Sequence, residues 1–283
     1  MKMTRPLAHN LMTRSMTAVA AAGLGLLFAA SADAATNILY TFESPDSGTT
    51  VSDRLTDDGA QDPIFDSSGV TVDTNAANAA FGSQSVSFID DGNPNRIEIP
   101  STTDLGSAFT LAAAFSLDAS KTDPGIATRV RLFTSYNVDG VAGDLIVTID
   151  SADTDPFDNG VELWLNGTEI KPTSIVPIED DGNTYHHIAV TYDDGSVKIY
   201  FDGTELDLNT NTAGSGSVTL AQNVHFGEDG SGTNLENEQF GGNADDILVL
   251  DRALSAEEVA KLANKGAGAL LLPSSKGTVI CFQ

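Results

Sequence analysis

The chain has 283 residues and carries 40 acidic against 14 basic side chains, a formal net charge of −26. Such a charge repels nucleic acid phosphates and anionic lipid headgroups and argues against both as partners; it suits divalent cations, neutral or cationic ligands and solubility in salt. The single cysteine, Cys281, excludes a disulfide framework within the chain.

Lys2, Arg5 and Arg14 form a basic start, residues 17–30 are apolar, and Ala32-Asp33-Ala34 is a small-x-small cleavage site. Residues 1–34 therefore read as a signal peptide cut near Ala34. The apolar stretch is too short and too rich in Ala and Gly for a membrane span. The expectation is an exported chain, secreted or held at the cell surface or in the periplasm, without stable membrane insertion. Removal of the leader leaves 11 basic against 39 acidic residues, a net charge of −28. Roughly 249 remaining residues suffice for one sandwich-sized domain. That domain is assigned to residues 35–265, with 266–283 as a C-terminal tail.

Short runs of alternating apolar and polar residues recur along this domain, separated by Gly, Asp, Asn and Pro clusters. The pattern predicts strands at 38–42, 84–89, 96–99, 109–117, 130–135, 145–149, 161–166, 186–192, 197–201, 223–226 and 247–250. Asn166-Gly167, Asp193-Asp194-Gly195 and Asp202-Gly203 supply hairpin turns. Residues 46–68 and 209–216 are polar and read as long loops, and 90–93 and 180–183 as turns. A helix is predicted only at 256–263. Ser255 is its N-cap, Glu258 stands at the capping-box position, and Glu257 and Glu258 face the positive end of the dipole.

Two segments carry a family resemblance. GNADDILVLDRALSAEEVAKL, from Gly242, joins an acidic strand start to a capped helix, and YHHIAVTYDDGSVKIYFDGTEL, from Tyr185, is a pair of alternating strands. Together they resemble the C-terminal half of the laminin-G-like jelly roll of the concanavalin A-like lectin/glucanase superfamily. LYTFESPDSGTTVSD, from Leu39, resembles that family's opening strand and polar loop. The strand at 109–117 departs from it, with Ala113 and Ala114 where a tryptophan is usual. The resemblance implies an all-β fold: a two-sheet antiparallel jelly-roll sandwich with one short C-terminal helix, its first strand beside the last. It also implies a structural Ca²⁺ between Glu43 at the end of the first strand and Asp246, with Asp245 adjoining. Ca²⁺ takes six to eight hard oxygens, which carboxylates and loop carbonyls supply. The alternative is that the two aspartates are solvated strand-start residues pointing to opposite faces.

Other acidic residues are less suited to metal: Asp150, Asp153, Asp155 and Asp158 lack the spacing of a twelve-residue calcium loop. Glycosidases of the superfamily carry acid and nucleophile in a Glu-x-Asp-x-x-Glu run on one strand, and no such run occurs here. Tyr185, His186 and His187 could serve a lyase, but His187 occupies an ordinary scaffold position of the family. Trp164 is the chain's only tryptophan. On strand 161–166 it shares a face with Glu162 and Asn166, opposite Val161, Leu163 and Leu165. That placement makes it a candidate stacking platform for a sugar on the concave sheet, with Glu162 and Asn166 as hydrogen-bonding neighbours. Residues and resemblance together favour a non-catalytic binding domain for polysaccharide or a cell-surface glycan or protein, with the structural calcium that the resemblance implies. A structural or adhesion protein without sugar binding, or a polysaccharide-active enzyme, are the alternatives.

Overall fold

The computed structural model describes residues 37–43, 46–48, 51–55, 61–66, 69–89, 95–118, 129–135, 144–150, 160–228 and 239–271. The signal peptide reading of 1–34, the turn at 90–93, Asp153, Asp155, Asp158 and Cys281 lie outside the described residues.

In chain order the strands are β1 (Ile38–Tyr40), β2 (Ile64–Asp66), β3 (Val70–Asp73), β4 (Ser85–Phe88), β5 (Arg96–Ile99), β6 (Asp104–Gly106), β7 (Ala108–Leu117), β8 (Arg129–Ser135) and β9 (Leu145–Asp150). They continue as β10 (Gly160–Leu165), β11 (Thr168–Ile170), β12 (His186–Asp193), β13 (Ser196–Phe201), β14 (Thr204–Glu205), β15 (Val218–Thr219), β16 (Val224–Phe226) and β17 (Gly242–Leu250). Two helices follow, α1 (Ala256–Lys265) and the single turn α2 (Gly268–Leu271).

An eight-stranded sheet has the order β14-β13-β12-β7-β17-β4-β3, with β1 also paired to β17. A seven-stranded sheet has the order β11-β10-β9-β8-β16-β5-β2. Every pairing within them is antiparallel, and β1 lies against the last strand in the register Leu39 to Leu248. This is the two-sheet sandwich that the family resemblance implies. The three hairpin turns form as read, with Asp194, Asp202 and Asn166 all at positive φ before a positive-φ glycine.

The core lies between the sheets and follows the period of two. Phe109, Leu111, Ala113 and Phe115 of β7 meet Val147 and Ile149 of β9 and Val161, Leu163 and Leu165 of β10, all buried. Phe88, Phe226 and Phe240 pack at 5.1–5.6 Å between ring centroids. Aromatic packing of this kind adds about 0.5–1.5 kcal/mol per pair beyond area burial.

A second apolar layer covers the other face of the eight-stranded sheet. Ala112, Ala189, Tyr200 and Leu248 are buried there with Val259 and Leu262 of α1. The small side chains of Ala112 and Ala189 suit the close approach of a helix; Ala113 points the other way, into the main core. The helix starts as expected. Ser255 Oγ accepts the Glu258 N–H while the Glu258 carboxylate accepts the Ser255 N–H.

Candidate functional site

Three of the sequence-selected residues, Glu43, Asp245 and Asp246, lie in one neighbourhood just past β1, near enough for their charges to interact. The reason is a bulge. The register of β17 against β7 shifts between Asp245 and Leu248, and Asp246 has φ 48°. A regular strand would send adjacent aspartates to opposite faces. The bulge instead leaves both carboxylates buried, both within the field of Glu43.

Backbone donors hold each of them. Asp245 accepts the N–H of Phe81 at 3.0 Å and that of Asp246 at 2.8 Å, and Asp246 accepts the N–H of Ala267 at 2.5 Å. Glu43 accepts the N–H groups of Ser83 and Gln84 at 2.7 and 3.2 Å and the Ser83 hydroxyl at 2.7 Å. Two glycines make room. A Cβ on Gly82 would lie 2.0 Å from Glu43 Oε1, and one on Gly266 would lie 2.6 Å from Asp246 Oδ2. Both glycines have positive φ.

Burial, reinforced by the neighbouring Asp246, pushes the Asp245 carboxyl up to about 8. Burial also raises Asp246 to about 6, opposed by the Ala267 amide and assisted by Glu43. Oxygen donors of this type fit a hard cation such as Ca²⁺. Among the described residues, however, no group of three or more His, Cys, Asp or Glu converges as a metal cage. Ser83, Gly82, Gly266 and Ala267 escaped sequence reasoning. Only the glycines left a trace in the sequence, and a glycine alone names no partner.

Trp164 lies elsewhere, on the outward face of the seven-stranded sheet. Its cross-strand neighbours are Ile146 on β9 and Glu169 on β11, and its indole N–H donates to Glu162 Oε1 at 2.9 Å. It is half-buried and does not enter the core between the sheets. Glu162 departs from the expected solvent-facing role: it is buried and already serves the indole. Its row continues through Thr148 to Arg131, both buried and neither foreseen. Asn166 is half-buried in the hairpin turn, where its N–H donates to the Asp144 carbonyl at 3.1 Å. The structure therefore groups Trp164 with Glu162, and keeps Asn166 at the strand's end.

The Tyr185-His186-His187 run divides. The Tyr185 hydroxyl donates to the Asn78 carbonyl. His187 is buried, neither ring nitrogen has a hydrogen-bond partner, and burial pushes it down to about 4. A histidine so held stays neutral at physiological pH. His186 is held between two carboxylates, Asp202 and Glu179.

A laminin G family model, described as the concanavalin A-like lectin/glucanases superfamily, matches residues 91–260. No curated protein matches the chain in sequence. Among solved structures, the binding domain of Paraclostridial Mosquitocidal Protein 1 superposes with a TM-score of 0.56 at 16% identity, covering 80% of this chain and 51% of that one. The binding domain of botulinum neurotoxin serotype G gives 0.51 at 14% identity, covering 80% and 50%. Domain 4 of AbnA, an extracellular arabinanase from Geobacillus stearothermophilus solved with arabinotriose, gives 0.50 at 16% identity, covering 81% and 99%. The chain thus spans about half the length of the two toxin domains and nearly all of the arabinanase domain. Two antiparallel sheets, a first strand paired to the last and a family match over more than half of the sequence lead to one conclusion: the chain belongs to the concanavalin A-like lectin/glucanases superfamily, as a laminin-G-type jelly roll.

Proposed function

We propose that the chain is an exported, non-catalytic binding domain for carbohydrate or a cell-surface ligand, and that Trp164 is its stacking platform. The observation that carries this reading is the place of the only tryptophan. It stands partly exposed on a sheet face outside the core, oriented by its bond to a buried carboxylate. A ring so fixed loses little freedom on contact with a pyranose or furanose face, and preorganisation of this kind favours binding. The fold neighbours support the class: two are toxin binding domains and one was solved with arabinotriose. The missing Glu-x-Asp-x-x-Glu run supports binding without hydrolysis. The leader-like residues 1–34 support export, and no helix among the described residues is long and apolar enough to cross a membrane.

Calcium forms part of the proposal. Glu43 and Asp246, with Asp245, would hold it, and its charge would offset the buried acids at the junction of β1 and β17. A cation that binds only the native chain stabilises by about 2.7 kcal/mol at a hundredfold excess over Kd.

A glycan array probed with the wild-type domain, with calcium and with chelator, tests the reading. The expected result is a defined set of bound glycans. An array blank in both conditions would favour the adhesion reading, which the engagement of Glu162 by the indole also supports.

A further inference from the structure

His186 opens β12 with its ring against the core, 4.9 Å from the Phe201 ring and 6.1 Å from that of Phe115. Its side chain is 8% exposed, yet both ring nitrogens face carboxylates on different segments. Nδ1 lies 2.9 Å from Asp202 Oδ2, in the turn between β13 and β14. Nε2 lies 2.8 Å from Glu179 Oε2, in the crossover from β11 to β12. A neutral imidazole owns one N–H and can donate to only one of these; the imidazolium donates to both.

We propose that His186 is a pH-operated latch: as the imidazolium it fastens the crossover segment to the β13–β14 turn, and its deprotonation releases the Glu179 end. The two carboxylates do not let go equally. Asp202 is locked in its tight turn at φ 48°, and its Oδ1 accepts the His187 N–H at 2.7 Å. Glu179 sits in a stretch without regular structure and its side chain is 56% exposed. The remaining N–H therefore stays with Asp202, and the bare Nε2 lone pair then faces the Glu179 carboxylate, a contact that repels.

The rest of the molecule sets the limits of the opening. Thr173 N–H is bonded to the Asp207 carbonyl, Gly182 N–H to the Leu117 carbonyl, and Asp181 bridges Asp118, so the free length is 174–180. Within it Val176 belongs to the core and Ile178 packs on it, so release exposes apolar surface. Other charged or titratable groups nearby are accounted for. Asp181 is capped by the Asn183 and Thr184 amides, Asp118 faces Gly182, and His187 is held neutral by burial. From β7 and β13 the rings of Phe115 and Phe201, neither of them titratable, face the imidazole.

Burial works against the charge of His186, but Asp202 and then Glu179 outweigh it and hold its pKa above the ordinary value. The sign follows. The latch is fully closed below about 6.5, the unperturbed histidine value, and is lost as pH rises through the higher folded value.

Titration of the histidine Cε1–H resonances by NMR, with amide hydrogen exchange measured from pH 5.5 to 9 and corrected for intrinsic rates, tests the latch. His186 is expected to titrate above the ordinary histidine value, with at least a tenfold loss of protection in 174–180 across the same step and little change in β12 or β13. Glu179→Gln should lower the His186 pKa and erase the step without unfolding the chain, because Glu179 is largely exposed. A His186 that titrates at or below the ordinary value, or an exchange step that survives Glu179→Gln, overturns the proposal.

Discussion

The outward faces of the two sheets have opposite fates. On the eight-stranded sheet, Ala112, Ala189 and Leu248 lie beneath α1, and the face has become a second apolar core. On the seven-stranded sheet, the same position in the architecture carries Arg131, Thr148, Glu162 and Trp164. Period-two alternation alone does not distinguish the two, because both sheets turn an apolar side to the shared core. What separates them is side-chain size and charge. Alanines admit a helix; a Trp, an Arg and a Glu do not, and of these four side chains Arg131, Thr148 and Glu162 are buried while Trp164 stays partly exposed.

That contrast can be broken at several points. The largest effect should come from Leu262→Ala, which removes a buried anchor of α1. It is expected to cost about 2–4 kcal/mol, read as a shift in the urea midpoint. It should leave any glycan binding on the other sheet intact in the folded fraction.

Gly82→Ala comes next. The residue has φ 69°, which L side chains rarely adopt, and the added Cβ would lie 2.0 Å from Glu43 Oε1, so the backbone is strained and the Glu43 carboxylate must move. A loss of about 2 kcal/mol is expected from strain of this kind. Thermal unfolding measures it, and a neutral variant would show that the turn yields easily.

The acid junction gives a pH signature. Asp245 and Asp246 have folded pKa values raised to about 8 and about 6. The native chain therefore binds more protons than the unfolded chain above about pH 4, the ordinary aspartate value. Stability contributed by these groups is present below that point and is lost as pH rises through the folded values. Asp245→Asn should flatten the decline and stabilise the chain at pH 8 by about 1–2 kcal/mol in chelator. Saturating calcium should flatten it in the wild type. A calcium-free chain whose stability rises between pH 5 and 8 would contradict the assignment.

The smallest effect on stability is expected from Trp164→Ala. A fully buried tryptophan would cost about 3–5 kcal/mol, whereas a half-buried one on an outward face should cost about 1. Chemical denaturation distinguishes the two.

Much of the sandwich is legible in the sequence because long strands must alternate. β7, β10, β12 and β13 each fall within a residue or two of the predicted limits. The short strands β2, β3, β6, β11, β14 and β15 were not foreseen, since two to four residues are too few to show a period. β17 begins at Gly242 rather than at Ile247, because Asn243, Asp245 and Asp246 read as a polar approach to the strand. The burial of the two aspartates depends on the bulge, on the Phe81 and Ala267 amides and on Gly266, and all but the bulge are remote in sequence. At the sheet face, the side on which Trp164 lies was readable from its neighbours. The bond from its indole to Glu162 was not, because residues two apart on a strand meet only when their rotamers allow it.

The central claim is that ligand meets the protein on the Trp164 face. Because Trp164 is the only tryptophan in the chain, its fluorescence reports that face without a label. Titration with arabinotriose, and with each glycan retained on the array, tests the claim directly. At least one ligand is predicted to give a saturable change in emission, with a midpoint that matches Kd from calorimetry. A ligand whose binding calorimetry establishes, but which leaves the emission unchanged throughout, would contradict it.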